Sequence, residues 1–257
     1  NYIFAGMGID FKVFISKLSP QFELLSCHKT IVDDTADFTM SASRMHQSMF
    51  DGSNLLACGF IRKGNMDLGY YPFFAQWNVS GNEAVETWKY VAAPGNITRS
   101  RAIASTVDAT GDVYAIVNSN NAYSVAKYDA AGSQLWDKAI SDPELNSAEL
   151  YSVKTLSNGN IVVSGNSTIM ENGSRRNVIP VWCMDGNGDL LWKQYKYDQT
   201  LFNIPQTIDL IIDSSDNIYA MVYAYKPNYS GSLAAVAKYS SVGEEQWIKA
   251  FPYDDGT

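Results

Sequence analysis

An all-β fold built from repeated four-stranded units is predicted by three features of the 257-residue sequence. A segment of fixed plan recurs, short apolar runs alternate with tight-turn residues, and no stretch carries a capped apolar period of 3.6 residues. The clearest copy is Asp108 to Ile140, in which a turn, two apolar runs, a glycine turn and a closing tryptophan follow in order. The same order returns from Asn160 to Lys193 and from Asp213 to Phe251. Gly, Asn and Asp between the runs supply the positive φ that tight hairpins need. Four strands per repeat, each unit burying its apolar faces only against its neighbours, predict a β-propeller.

Taken in chain order, five units are visible, at about residues 1–31, 34–91, 97–140, 147–197 and 203–252, and they are read as one propeller domain or segment. The first opens on the run Tyr2 to Ala5 and continues with Phe11 to Leu18, so it is a blade lacking its first strand. The second has MSASRMHQSM, the turn Asp51 to Asn54, LLACGFI, a long loop, FFAQWNV and Trp88, with its last turn three residues longer than elsewhere. The third adds ITRSRAIASTV in front of the Asp108 turn. The fourth runs SAELYSVKTL, IVVSG, VIPVWCM and LLWKQYKY, and the fifth IPQTIDLII, IYAMVYAY, LAAVAKY and QWIKAF. Trp136, Trp192 and Trp247 fall at equivalent places and are expected to be buried between blades. The polar tail after Phe251 does not supply the missing first strand, so the ring is expected to be closed by upstream residues, further blades or a partner chain.

Ala126 to Trp136 resembles the eleven-residue tryptophan-docking motif of the quinoprotein (PQQ-like) propellers and of the wider bacterial and archaeal β-propeller repeat family of cell-surface proteins. Ala237 to Trp247 fits the same length, and Trp182 to Trp192 keeps Asp185, Gly188 and Trp192. In the second unit the insertion displaces Trp88, and in the first Phe22 and Ser26 stand where Gly and Trp are expected. The resemblance implies a scaffold. It does not imply the cofactor, because the quinone enzymes use adjacent cysteines, whereas Cys27, Cys58 and Cys183 are far apart. No cofactor and no metal are expected. Asp185-Gly-Asn-Gly-Asp189 lacks the later ligands of a calcium loop and reads as a hairpin turn.

Composition narrows the partners. Hydrophobic residues make up 46% and charged residues 18%, with 16 Tyr, 11 Phe and 6 Trp, so the chain can fill a core. A net charge of −8 opposes binding to nucleic acid and to anionic membranes, and no apolar run approaches the roughly 20 residues needed to span a bilayer. Sequons begin at Asn78, Asn96, Asn166, Asn172 and Asn228, which permits a glycosylated exterior.

Two sets of residues are candidates for function. Aligning the blades by their first turns places Ser43, Arg101, Glu149 and Gln206 in one row of the axial channel, and His46, Ala104, Ser152 and Asp209 in another. His46, Arg101, Glu149 and Asp209 would be the acid, base and charge-stabilising groups of an axial enzyme site. The second set lies on the face carrying the longer links: Arg62, Lys63, Tyr70 and Tyr71, then Arg175 and Arg176, then Tyr225 and Tyr229. Tyr and Arg anchor interfaces well, so a protein or glycan partner is expected there. The function expected is a noncatalytic binding or structural module, extracellular, cell-surface or periplasmic, of adhesive or scaffold type. The alternatives are a propeller glycosidase or lyase working from the axial funnel and a periplasmic assembly scaffold.

Overall fold

The computed structural model describes residues 2–7, 12–31, 44–50, 53–62, 70–81, 83–91, 100–146, 148–196, 200–228 and 230–252. These residues form five successive antiparallel sheets. The first contains β1 (Tyr2–Met7), β2 (Lys12–Leu18) and β3 (Leu24–Ile31). The second contains β4 (Arg44–Phe50), β5 (Asn54–Arg62), β6 (Tyr70–Asn78) and β7 (Val85–Val91). The third contains β8 (Ser100–Val107), β9 (Val113–Ser119), β10 (Ala122–Tyr128) and β11 (Gln134–Ala139). The fourth contains β12 (Ala148–Thr155), β13 (Ile161–Glu171), β14 (Ser174–Met184) and β15 (Leu190–Lys196). The fifth contains β16 (Asn203–Ile212), β17 (Ile218–Tyr225), β18 (Ser232–Tyr239) and β19 (Glu245–Pro252). The strands of each sheet pair in chain order, as a meander does, and the first strands β4, β8, β12 and β16 approach one another across neighbouring sheets. Sheets arranged radially about their first strands are the blades of a β-propeller.

Alternating side chains of one strand reach the sheets on either side. In β13, Val162 packs with Leu210 and Ile218 of the fifth sheet, while Ile161 and Val163 pack with Tyr114 and Ile116 of the third. The run Ile161 to Val163 is therefore buried on both faces and reads as continuously apolar. Ile15 joins Leu55 and Trp77 between the first and second sheets, and Phe74 and Trp88 join Val113 and Tyr128 between the second and third. Among the described residues, no core cluster joins the fifth sheet to the first.

The tryptophan positions are in register. Lys127 faces Trp136, Cys183 faces Trp192 and Lys238 faces Trp247, each followed by a bulge in the pairing. Gln76 faces Trp88 in the same way, so the long turn of the second unit absorbs its insertion and Trp88 is not displaced. A Cβ placed on Gly132, Gly188 or Gly243 would stand within 3.0 Å of the ring of Trp88, Trp136 or Trp192 respectively. Each of those tryptophans is thus roofed by the glycine turn of the next blade. Trp136, Trp192 and Trp247 are all half-buried where burial was expected, and Trp247 differs from the other two in that no described turn roofs it. In the first blade Ser26 takes the tryptophan position opposite Lys17, and Lys17 Nζ donates to Gly81 O at 2.9 Å. That contact replaces those made by Trp136 Nε1 to Gly186 O at 3.3 Å and Trp192 Nε1 to Ser241 O at 3.1 Å.

Several expectations about the long-link face need correction. Tyr71 lies in β6 opposite Ile61 and is only 5% exposed, packed in the core with Phe73 and Trp77. Pro72 and the preceding polar segment disguise a strand that begins at Tyr70, because proline is tolerated in extended backbone. Arg62 likewise closes β5, paired with Tyr70, and stands in no loop. Arg175 and Arg176 are strand residues of β14, opposite Met170 and Ile169 of β13. The polar stretch ENGSRRN is the projecting end of a β-ribbon, closed by Asn172 (φ 49) and Gly173 (φ 76), a two-residue turn that needs positive φ at both positions. Asn120 (φ 51) and Asn121 (φ 67) close β9 to β10 in the same way. The second-to-third links of these two blades are therefore shorter than their first turns. Tyr225 ends β17 and is exposed, whereas Lys63 and Tyr229 lie outside the described residues.

Candidate functional site

The start of each inner strand carries a bulge, and the bulge decides what faces the axis. In β12 the pairing slips between Leu150 and Ser152, leaving Tyr151 unpaired; in β8 the extra residue is Ile103, in β16 it includes Ile208, and in β4 it is His46. One inserted residue turns the next side chain to the opposite face. Leu150 accordingly packs toward the third sheet, while Ser152 reaches the fifth, donating from Oγ to Asp209 Oδ1 at 2.6 Å. The bulged residue between them points at neither neighbour, and Tyr151 (37% exposed) and Ile208 (56%) open onto the axis.

This register changes two rows inferred from the sequence. Arg44, and not Ser43, shares a row with Arg101, Glu149 and Gln206; Ser43 lies outside the described residues. His46 belongs with Ile103, Tyr151 and Ile208, and Gln47 takes the place beside Ala104, Ser152 and Asp209. The slip arises because four residues separate the paired positions Phe50 and Leu55, whereas five separate Val107 from Val113, Thr155 from Ile161 and Ile212 from Ile218, which composition does not reveal.

The mouth itself is built by short contacts within the fourth sheet and between it and the fifth. Gly165 of β13 lies so close to Glu149 that a Cβ there would stand 1.8 Å from Glu149 O, so only glycine lets β13 hold the Glu149 backbone in place. Next to it, Asn166 Oδ1 accepts from Thr207 N at 2.7 Å, and Thr207 Oγ1 donates to Gly165 O at 2.6 Å. Glu149 Oε2 accepts from Tyr151 OH at 2.5 Å. Burial first, and that carboxylate second, raise the Tyr151 phenol well above its ordinary range. Burial also raises the Tyr123 phenol, with the Glu149 charge raising it further and the Arg101 charge lowering it. The Arg101 guanidinium stacks 5.2 Å above the Phe60 ring.

Two cavities open here. One, of about 370 Å³, is lined by Arg101, Asn118, Asn120 and Asn121. The other, of about 240 Å³, is lined by Glu149, Asn166, Ser167, Thr168, Asn177, Ile204, Pro205 and Gln206. Ile204, a β-branched residue, is held at φ 46 on this wall, a strained conformation that surrounding structure must enforce. Asp209 is placed differently. Its Oδ1 accepts from Ser152 Oγ, from Leu210 N at 2.8 Å and from Lys154 Nζ at 3.2 Å, so the carboxylate stitches two inner strands together.

The structure thus brings Arg101, Glu149 and Gln206 to one mouth and assigns Asp209 to the blade interface. The asparagines and Tyr151 were missed in the sequence. The Asn120-Asn121 pair was a signal for a two-residue turn, and the first-strand start that such a turn overhangs is where the mouth must lie. Of the sequons, Asn172 sits at an exposed hairpin tip, Asn166 is occupied in the mouth, and Asn96 is outside the described residues.

No family model and no curated protein sequence matches the chain. Among solved structures, the chain is similar to an exo-β-1,3-galactanase from Phanerochaete chrysosporium (11% identity, 97% of this chain and 64% of that one, TM-score 0.49). It is also similar to a GH43 endo-arabinanase from Bacillus licheniformis (8% identity, 95% and 92%, TM-score 0.41) and to a protein of unknown function from Bacteroides caccae (10% identity, 96% and 92%, TM-score 0.39). At such identities and scores these likenesses carry no residue and no activity over to this chain.

Proposed function

We propose that this chain is a noncatalytic binding module whose axial mouth takes a polyhydroxylated, glycan-like ligand, and that it works outside the cell or at a cell surface. The observation that carries the reading is the lining of the two cavities. Side-chain amides of Asn118, Asn120, Asn121, Asn177 and Gln206 each offer a donor and an acceptor, which suits neighbouring hydroxyls, and Arg101 and Glu149 add one charge of each sign. Tyr151 and Tyr123 provide aromatic surface beside them. The face is the one on which the second-to-third links and the links between blades emerge, where binding groups on a rigid scaffold are commonly presented. Hydrolysis of a glycosidic bond uses two carboxyl groups across the bond. Here Glu149 is one candidate, while Asp209 is spent on Ser152, Lys154 and Leu210. The glycosidase reading therefore rests on Glu149 and its short hydrogen bond from Tyr151, and it shares this site.

A glycan array probed with the wild-type chain, with Arg101→Ala and with Gln206→Ala tests the proposal. Selective binding that both substitutions weaken, with Arg175→Ala on the projecting ribbon as an unchanged control, is the expected result. Binding that survives both mouth substitutions and falls with the ribbon substitution would place the site elsewhere.

A further inference from the structure

Among the described residues, the fifth sheet has one face covered by another sheet and one that none covers, and the second is not composed like a solvent face. Residues of β17 alternate between buried and half-buried along the strand, whereas Val113 to Val117 of β9 are all buried. The positions match one to one. Tyr114 (1% exposed), Ile116 (0%) and Val125 (0%) are buried under the fourth sheet. Their counterparts Tyr219, Met221 and Val236 are apolar yet half-buried, and Ile211 (49%) and Phe251 (51%) beside them are exposed. A sheet face meant for water alternates apolar-in with polar-out; this one keeps its interface residues, and contiguous exposed apolar surface marks an interaction site.

The aromatic group on this face repeats the one that is covered. Trp136 meets Tyr114 at 6.0 Å and carries Lys138 at 5.9 Å; Trp247 meets Tyr219 at 6.1 Å and carries Lys249 at 5.2 Å. In the third sheet the set is completed by the next blade's closing turn: Gly188 lies against the indole, Gly186 O accepts from Trp136 Nε1 at 3.3 Å, and Asp189 Oδ1 accepts from Lys138 Nζ at 2.6 Å. We infer that the outer face of the fifth sheet docks a further four-stranded blade joined in chain order, as each covered sheet is covered by its successor. Its closing turn carries glycine at the fourth position, to lie on Trp247, and an acid at the fifth, to pair with Lys249.

The first sheet does not fit this role, in the same molecule or a second copy. Its closing turn has the same hydrogen bonds, Phe22 N to Ser19 O and Ser19 N to Glu23 O, as the turn in which Gly188 N donates to Asp185 O. Phe22 (φ 64) therefore occupies the glycine position. A lone Cβ in the equivalent place on Gly243 would already stand 2.6 Å from Trp192 Cδ2, and a phenyl ring cannot enter there.

The test extends the chain by a second copy of residues 197–252 placed after residue 252, so that a blade bearing the Gly243 turn follows the fifth sheet. Acrylamide quenching of Trp247, read as the difference from W247F, is expected to fall in the extended chain to that of Trp192, read with W192F. Reductive methylation of Lys249 is expected to slow in parallel, as the Glu244 position of the copy meets it. Gly243→Val in the added copy alone should abolish both changes. The inference is overturned if the added blade leaves Trp247 and Lys249 as reactive as before, or if the valine copy protects them equally. It is also overturned if the unextended chain dimerises with Trp247 shielded, because a second copy is then the occupant.

Discussion

A β-carbon on residue 243 would stand 2.6 Å from Trp192 Cδ2, and the residue sits at φ 85, so two independent constraints demand glycine there. Gly243→Ala should cost about 1 to 3 kcal/mol through overpacking and backbone strain, read from urea midpoints. Gly159, also at positive φ (83) but with nothing within 4 Å of its Cβ position, should lose less on the same change. Asp213 makes a second prediction. Hydrogen bonds from the Asn217 side chain, then from the backbone of Asn217 and Ser215, hold its carboxyl down at about 2. A folded-state pKa below the unfolded value near 3.9 gives stability that is present above about pH 4 and lost as pH falls toward 2. Asp213→Ala should therefore lower the urea midpoint at pH 7, and its gap from wild type should close over that acid window. At this scale the sequence was a good guide to turns, because Gly, Asn and Asp announce positive φ. It misled at Tyr71, whose neighbours Tyr70 and Pro72 resemble a loop although the ring lies in the core.

Element by element, the legible features were strand number, strand order and the equivalence of the tryptophans, all of which follow from local chemistry repeated in sequence. Register was less legible. One residue fewer between the paired positions Phe50 and Leu55 moved His46 out of the row inferred for it and put Arg44 in the place given to Ser43. The candidate site was correspondingly half-legible: Arg101, Glu149 and Gln206 came from alignment of turns, whereas Asn166 and Asn177 reach the mouth only through pairing between distant strands. The same elements give a contrast in stability. Trp192→Ala, which empties a space under Gly243, should cost about 3 to 5 kcal/mol. Trp247→Ala should cost clearly less in the unextended chain, because no described turn roofs that ring, and chemical unfolding of the two variants side by side measures the difference.

For the whole molecule, the radial arrangement turns five ordinary meanders into a scaffold whose inner strands converge on one opening. Ser152 to Asp209 and Thr106 to Thr155 link successive inner strands, so the mouth is held by the blade interfaces and not by loops. A preorganised, amide-rich opening is suited to holding a polar ligand at a low ordering cost. The most direct measurement incubates the chain with the best glycan from an array, labelled at its reducing end, and follows saturable binding and the length of the recovered label together. The account predicts saturable binding that Arg101→Ala and Gln206→Ala weaken, with the glycan recovered at full length. A shortened glycan whose release depends on Glu149, or binding indifferent to both mouth substitutions, would contradict it.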